Sequence, residues 1–333
     1  MRYIEWTKYG GPKVLRVSQK DKPIPKDNEL LVRVHATTVT AGDCEIRGLQ
    51  FPFVFGLIFR IMFGFLRPKG KVLGQEMSGT VEAVGKDVTT YQVGDEIFGS
   101  MGFSLGAYSE YMCIPEKPKS GSIALKPANI SFEEAAAAPL GGLEAIHFLK
   151  GLHFGPDHHV LINGAGGSIG TSVLQMVKRH GAQVTVVDSK KKHAFLASLG
   201  ADHMIDYHTE DFTKSGQTYD LVFDVVGKSP FEATLKVLKD QGTYVIASPK
   251  GHHKSKGRRV NGSSSKRVRF DSANHTQEEL LQLKGLLEEG HVKPPIDRVF
   301  PMEEIVAAHE YVEAGHKKGN LVISLLGSED SGQ

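Results

Sequence analysis

Apolar and polar positions alternate through the first third of the chain, and glycines punctuate the alternation. Leu30-Leu31-Val32-Arg33-Val34-His35-Ala36 has strand character, and Gly79-Thr80-Val81-Glu82-Ala83-Val84-Gly85 is a second short strand ended by glycine. Val93-Gly94-Asp95-Glu96-Ile97-Phe98-Gly99 places a tight Gly-Asp turn before a further strand. The pattern predicts a β-rich opening. Near residue 125 the period changes. Ser131-Phe132-Glu133-Glu134 reads as a capping box, in which serine accepts from the Glu134 backbone N–H and that carboxylate reaches back. The alanine run Ala135 to Ala138 carries the helix to Pro139.

From His159 onward, strand and helix signals alternate. Val160-Leu161-Ile162-Asn163, Gln183 to Val187, Met204-Ile205-Asp206, Leu221 to Val226 and Tyr244 to Ala247 read as strands. Helices lie between them: one carries Ile169, Val173, Leu174, Met176 and Val177 at helical spacing, and the next carries Ala194, Phe195, Leu196 and Leu199. Such alternation buries both faces of a parallel sheet, so the middle of the chain is predicted to be a doubly wound α/β domain. Residues 250–269 are rich in Gly, Ser, His, Lys and Arg and read as a solvated basic loop, with phosphate binding as the less favoured reading. A helix over 278–288 and a strand at Leu321-Val322-Ile323 follow, and no internal repeat is visible.

Composition narrows the class without naming it. A chain of 333 residues suits two domains, and 40% apolar with 23% charged residues is ordinary for a globular protein. A formal charge of +2 implies no nucleic-acid partner. Two cysteines, Cys44 and Cys113, make neither a disulfide framework nor a four-cysteine zinc lobe. With no apolar core at the start of the sequence, the expectation is a cytoplasmic protein without a transmembrane segment. The apolar run 51–66, FPFVFGLIFRIMFGFL, is shorter than the ~20 residues a bilayer requires and holds Arg60. It is expected to be a buried helix or pocket wall, the alternative being a lid at a membrane surface or partner.

The chemistry sits where the first predicted parallel strand ends. Gly164-Ala165-Gly166-Gly167-Ser168-Ile169-Gly170 follows that strand and opens a helix, giving a dinucleotide fingerprint in the register Ala165-x-Gly167-x-x-Gly170. Ala165 permits the tight turn, Gly167 lets backbone approach a pyrophosphate, and Gly170 lets helix and strand pack closely. The helix start through Ser168 and Ile169 offers N–H groups and a positive dipole end to the phosphates. The second strand reaches Asp188, 18 residues beyond Gly170, near the ~20-residue spacing of the acid that meets the adenine ribose. Asp188 favours NAD, whereas Ser189, Lys190, Lys191 and Lys192 concentrate donors and positive charge that favour NADP; the balance leans to NADPH.

Taken together, Gly74-Gln75-Glu76-Met77-Ser78-Gly79-Thr80-Val81, Val93-Gly94-Asp95, Ala135 to Pro139, the Ala165 to Gly170 turn, Leu199-Gly200-Ala201-Asp202 and Gly319-Asn320-Leu321-Val322-Ile323 resemble the medium-chain dehydrogenase/reductase superfamily. The resemblance is to its zinc-independent, quinone oxidoreductase-like branch and covers nearly the whole chain. It implies a Rossmann domain (125–275) inserted into a GroES-like substrate and catalytic domain (1–124 plus 276–333), an active site in the cleft, and a homodimer. In the alcohol dehydrogenase branch a cysteine, a histidine and an acidic residue hold catalytic zinc; the cysteine and histidine places here are Thr40 and Gln75, neither a good zinc ligand, so no zinc is expected. Cys44 lies four residues late and reads as a small packing side chain.

Without metal, the expected reaction is hydride transfer from NAD(P)H to a small electrophile, a quinone or α,β-unsaturated carbonyl, with a proton following from a hydroxyl or water. Thr40 stands where the quinone reductases carry asparagine. It is the candidate donor to a substrate carbonyl or the carboxamide, the other reading being a hydroxyl satisfied by local backbone. Glu144 stands where the branch has threonine. The resemblance also carries cofactor contacts to Tyr207, Val226, Gly227, Ser248 and Asn320. The alternatives are a metal-free alcohol or aldehyde oxidoreductase and a cofactor-binding regulatory protein without catalysis.

Overall fold

The computed structural model describes residues 1–51, 53–69 and 72–325. The chain divides into two compact units: Met1–Leu140, His275–Glu288 and the segment from Pro294 onward form one, and Gly141–Asn274 with Glu289–Lys293 form the other. Residues 125–140, expected with the middle domain, pack in the first unit.

The first unit is built on a seven-stranded, mostly antiparallel sheet with a separate two-stranded hairpin, Arg2–Trp6 paired with Leu15–Gln19. Its central strand Glu29–Thr38 pairs with Glu76–Val84 on one side and is antiparallel to Asn320–Ser324 on the other, where Val322 faces Thr38. The predicted capping box is formed: Ser131 Oγ accepts from Glu134 N–H at 3.2 Å and Glu134 Oε2 accepts from Ser131 N–H at 3.0 Å.

A second capping box starts helix Ala41–Gly48, with Thr40 at the cap and Asp43 three residues on. This helix is pinned through Arg47, whose side chain is wholly buried. Arg47 Nε donates to Gly10 O at 3.0 Å, Nη1 lies 2.8 Å from His309 Nδ1, and Nη2 bonds Glu313. Burial and the neighbouring guanidinium push the His309 pKa down to about 3, so the imidazole is neutral and accepts the arginine proton.

The run 51–66 departs from one of its two expected readings, that of a buried helix. Helix Phe53–Phe63 forms there, but Leu57, Ile58, Ile61 and Met62 are exposed rather than buried, as are Phe65 and Leu66 beyond it. Pro52 and the side chains of 53–55 lie outside the described residues. Periodicity could not reveal this, because a helix apolar on every side gives no sign of which side is covered. Among the described residues no helix is long and apolar enough to cross a membrane.

The second unit carries a six-stranded, all-parallel sheet. Its spatial order is His203–Asp206, Gln183–Asp188, His159–Asn163, Tyr219–Asp224, Leu238–Ile246, Arg267–Arg269. In chain order these are strands 3-2-1-4-5-6, the doubly wound Rossmann arrangement, with its switch point beside the end of His159–Asn163.

The predicted basic loop is instead a helix, Gly251–Ser263, followed by the edge strand Arg267–Arg269. Apolar periodicity is missing because the helix docks through small and polar groups. Gly257 lies against Phe270, so close that a Cβ there would stand 2.6 Å from the ring. Asn261 mimics a strand, its Oδ1 accepting from Val268 N–H at 2.7 Å and its Nδ2 donating to Val268 O at 3.0 Å.

Gly257→Val tests this docking. The substitution adds overpacking worth about 1–3 kcal/mol against the Phe270 ring, which outweighs any gain in helix propensity. The expected loss of unfolding free energy is about 2 kcal/mol, read from urea denaturation; an unchanged midpoint would contradict the packing described.

Candidate functional site

The strand His159–Asn163 ends in the glycine turn, and helix Ser168–Lys178 begins with Gly167 in extended conformation at its cap. Gly167 at the cap makes no side-chain bond, and no acidic residue sits in the first turn of the helix. Ala165 is buried behind the turn. Gly170 packs so tightly on the strand that a Cβ would lie 2.5 Å from Ala165 Cα, which is the close approach its place in the fingerprint requires.

Asp188 ends the next strand and turns inward. Its Oδ2 accepts from Gly166 N–H at 2.8 Å and its Oδ1 from Ser189 N–H at 2.8 Å, with Lys192 Nζ 3.5 Å from Oδ1. The ribose contact expected of Asp188 therefore competes with bonds already made to backbone, and its charge is offset by Lys192. Lys190 and Lys191 are exposed on the following turn.

Beside these groups opens a cavity of about 700 Å³ lined by Gly167, Asp188, Lys192, Tyr207 and Val226, together with Asn163, Gly164, Asp211, Phe212 and Ser229 among others. That volume lies within the usual range for ligand sites. Tyr207 is 57% exposed and stacks on His208 with 4.2 Å between ring centroids, presenting an aromatic surface rather than packing in the core. Val226 was expected inside the fourth strand, but that strand stops at Asp224 and Val226 is exposed at the cavity. Ile169 is half-buried in the first helical turn, and Ser248 is exposed outside the lining.

Sequence reasoning missed Asp224, which ends the strand and shapes this loop. Its Oδ1 accepts from Asn163 Nδ2 at 3.0 Å, Val226 N–H at 3.0 Å and Gly227 N–H at 2.9 Å. Its Oδ2 accepts from Tyr244 Oη at 3.2 Å and Ser229 N–H at 3.3 Å. An aspartate at a strand end with glycine three residues on is a turn signal that was available in the sequence.

Thr40 and Asn320 lie in the first unit. Thr40 is 2% exposed; its hydroxyl donates toward Asp43 Oδ2 at 2.7 Å or Gln75 Oε1 at 3.0 Å and accepts from Asp43 N–H at 3.0 Å. The hydroxyl is thus engaged by the Asp43 and Gln75 side chains as well as by the Asp43 backbone amide. Asn320 Nδ2 donates to Pro295 O at 3.1 Å. The residues at the cysteine and histidine places of the alcohol dehydrogenase branch are thus a hydroxyl and an amide bonded to each other. Among the described residues no three His, Cys, Asp or Glu side chains gather as a metal set. Cys44 is buried with Sγ 3.4 Å from His309 Nδ1, and burial pushes its thiol up to about 12. Glu144 is half-buried on helix Pro139–Leu149.

Two buried acids flank this cluster. Glu76 is 1% exposed, accepts from the Thr38 hydroxyl, and takes Leu140 N–H at 2.7 Å on Oε2. Desolvation raises its pKa to about 7, with Asp43 adding to the rise. Asp43, also fully buried, is raised to about 6 by desolvation against hydrogen bonds from Thr40 and Gly74.

Residues 26–120 match the alcohol dehydrogenase GroES-like domain and residues 199–323 the zinc-binding dehydrogenase family. Across 97% of its length the chain is 31% identical to a 2-methylene-furan-3-one reductase of Solanum lycopersicum, covering 79% of that protein. It is 30% identical to an NADPH-dependent alkenal/one oxidoreductase, chloroplastic, of Arabidopsis thaliana, with the same coverage of each. The quinone oxidoreductase structure from Coxiella burnetii superposes with a TM-score of 0.85 at 31% identity, over 98% of this chain and 99% of that one. The chain belongs to the medium-chain dehydrogenase/reductase superfamily, among its quinone oxidoreductase and enone reductase members, with the GroES-like and Rossmann architecture of that group.

The raised Glu76 carries a pH prediction with a fixed sign. A carboxyl that binds its proton more tightly folded than unfolded costs stability once the unfolded chain ionises. Stability from this group is full below its ordinary value of 4.5 and falls as pH rises to about 7, with Asp43 acting the same way from 3.8 to about 6. Glu76→Gln removes the Glu76 share. Relative to wild type the variant should gain up to about 3 kcal/mol between about pH 4 and pH 8, read from urea unfolding across that range. Parallel pH curves for the two proteins would refute it.

Proposed function

We propose that the protein is an NADPH-dependent reductase that delivers hydride to quinones or α,β-unsaturated carbonyl compounds without zinc. The observation that carries the reading is the state of Asp188. Its acceptors are turned onto the Gly166 and Ser189 amides and its charge is offset by Lys192, beside a cavity of about 700 Å³ at the end of a helix with no side-chain cap. A carboxylate so engaged repels a 2′-phosphate little, while Lys192, with Lys190 and Lys191 nearby, supplies cationic donors for it. The NADPH-dependent relative supports the same choice.

In this reading the residues around the cavity fit the dinucleotide. Gly167, Ser168 and Ile169 take the pyrophosphate at the helix start, with Ala165 and Gly170 shaping the turn. Ser189 and Lys192 are assigned to the adenosine phosphate, Tyr207 offers its ring to the adenine, Val226 continues the wall, and Gly227 and Ser248 are assigned to the cofactor beyond that lining. Asn320 is assigned to the nicotinamide end. When bound, the nicotinamide supplies a hydride to an electron-poor carbon. Thr40 acts as a positioning residue, its hydroxyl holding the Gln75 amide and the start of helix Ala41–Gly48. The hydroxyl–amide pair at two of the zinc places favours chemistry without that metal. The proposal includes a cytoplasmic setting, in keeping with two unpaired cysteines, and a homodimer through the edge strand Arg267–Arg269.

Cofactor titration and an acceptor panel test the assignment. NADPH should bind more tightly than NADH, and its near-ultraviolet absorbance should decay faster with quinones and enones than with simple aldehydes. Tight NADPH binding with no acceptor consumed would replace this reading with that of a cofactor-binding regulator. Lys192→Ala should weaken NADPH by roughly tenfold, the worth of one charge-assisted contact, and leave NADH nearly unaffected. Equal losses for both cofactors, measured by calorimetry, would remove Lys192 from the phosphate site.

A further inference from the structure

Helix Phe53–Phe63 and the turn behind it are apolar on both sides. Inward, Phe59 stacks on Phe51 at 4.3 Å and on Phe63 at 5.7 Å, and Phe63 meets the Trp6 ring at 6.0 Å. That stack accounts for one side. Outward, Leu57, Ile58, Ile61 and Met62 recur at the spacing of a single helix face, and all four are exposed, Ile61 by 73%. Phe65 and Leu66 extend the face, Leu66 being 83% exposed. A surface helix ordinarily shows water its polar side.

These side chains are held in place rather than left on a loose loop. Arg60 Nη1 donates to Phe65 O at 2.6 Å, and the Tyr9 hydroxyl donates to Gly64 O at 2.6 Å. The Arg60 guanidinium lies 5.2 Å from the Tyr9 ring centre. The turn is thereby fixed with its apolar tip pointing into solvent.

Charge identifies what covers the face. Between Glu45 and Glu76 the sequence holds no aspartate or glutamate, while Arg60, Arg67, Lys69 and Lys71 fall within it, besides the buried Arg47. Arg67 and Lys69 are exposed directly after the apolar tip. Apolar side chains followed by cations, in a stretch of sequence without a carboxylate, match the boundary between anionic headgroups and acyl chains. A second copy of the chain fits less well, because a twofold contact would bring the two cationic rims together. We propose that this face docks on an anionic lipid bilayer, the helix lying in the plane of the headgroups. At 11 residues it is far short of a span.

Flotation with sized vesicles tests the proposal, comparing phosphatidylcholine alone with phosphatidylcholine containing about one quarter phosphatidylserine. The full chain should float with the anionic vesicles and only weakly with the neutral ones. The double variant Ile61→Asp, Leu66→Asp should lose roughly tenfold or more of the bound fraction through its apolar contacts. Arg67→Glu with Lys69→Glu should lose roughly ten- to thirty-fold through charge. Both variants alter exposed side chains, and unchanged NADPH binding and thermal midpoint confirm that each is folded. Absence of flotation on either composition overturns the proposal. So does a wild-type self-association that the Ile61→Asp, Leu66→Asp variant abolishes, since a second copy would then own the face.

Discussion

A carboxylate that spends its lone pairs on backbone amides fixes a turn before any ligand arrives, and the second unit depends on two of them. Where parallel strands end, the chain must leave the sheet, and the N–H groups of the departing turn lose their ladder partners. Asp188 and Asp224 stand at the ends of two strands that flank His159–Asn163 and gather those amides. The shape of the cavity is therefore a property of the chain itself. Ordering entropy that would otherwise be lost on binding has already been met during folding.

The first unit handles buried acid differently. Asp188 and Asp224 are surrounded by donors, whereas Glu76 and Asp43 are dominated by desolvation despite their hydrogen bonds. Both acids sit beside the Thr40–Gln75 pair, and Glu76 joins the start of one strand to the first turn of helix Pro139–Leu149. The cluster that results disfavours the ionised form of both acids, beside the two positions, Thr40 and Gln75, that match zinc-ligand places of the alcohol dehydrogenase branch. Thr40 belongs to that cluster through its capping role, which is why its short side chain does not project from it.

Legibility tracked how each element announces itself. The parallel strands and the Ala165 to Gly170 turn were visible because apolar runs, glycine spacing and helix periodicity all agree there. The capping box at Ser131 was equally plain. Helix Gly251–Ser263 was hidden because Gly257 and Asn261, not an apolar stripe, attach it. The exposed side of helix Phe53–Phe63 was hidden for the opposite reason, since every position reads as core. Asp188 was found, but its inward turn depends on Gly166 and Ser189 amides that only three-dimensional structure brings to it. The pairing of Asn320–Ser324 with Glu29–Thr38 left no mark in either segment and entered only through family resemblance.

That last pairing has a consequence for how the protein is made. Thr38 waits for Val322 as its sheet neighbour, so residues 36–38 of the central strand keep an unfilled edge until that much later segment has been synthesised. The parallel-sheet unit is almost contiguous in sequence and can assemble earlier. During translation the nascent chain thus carries a raw β-edge for a long interval, which is when chaperone engagement or misassociation between neighbouring ribosomes would act on it.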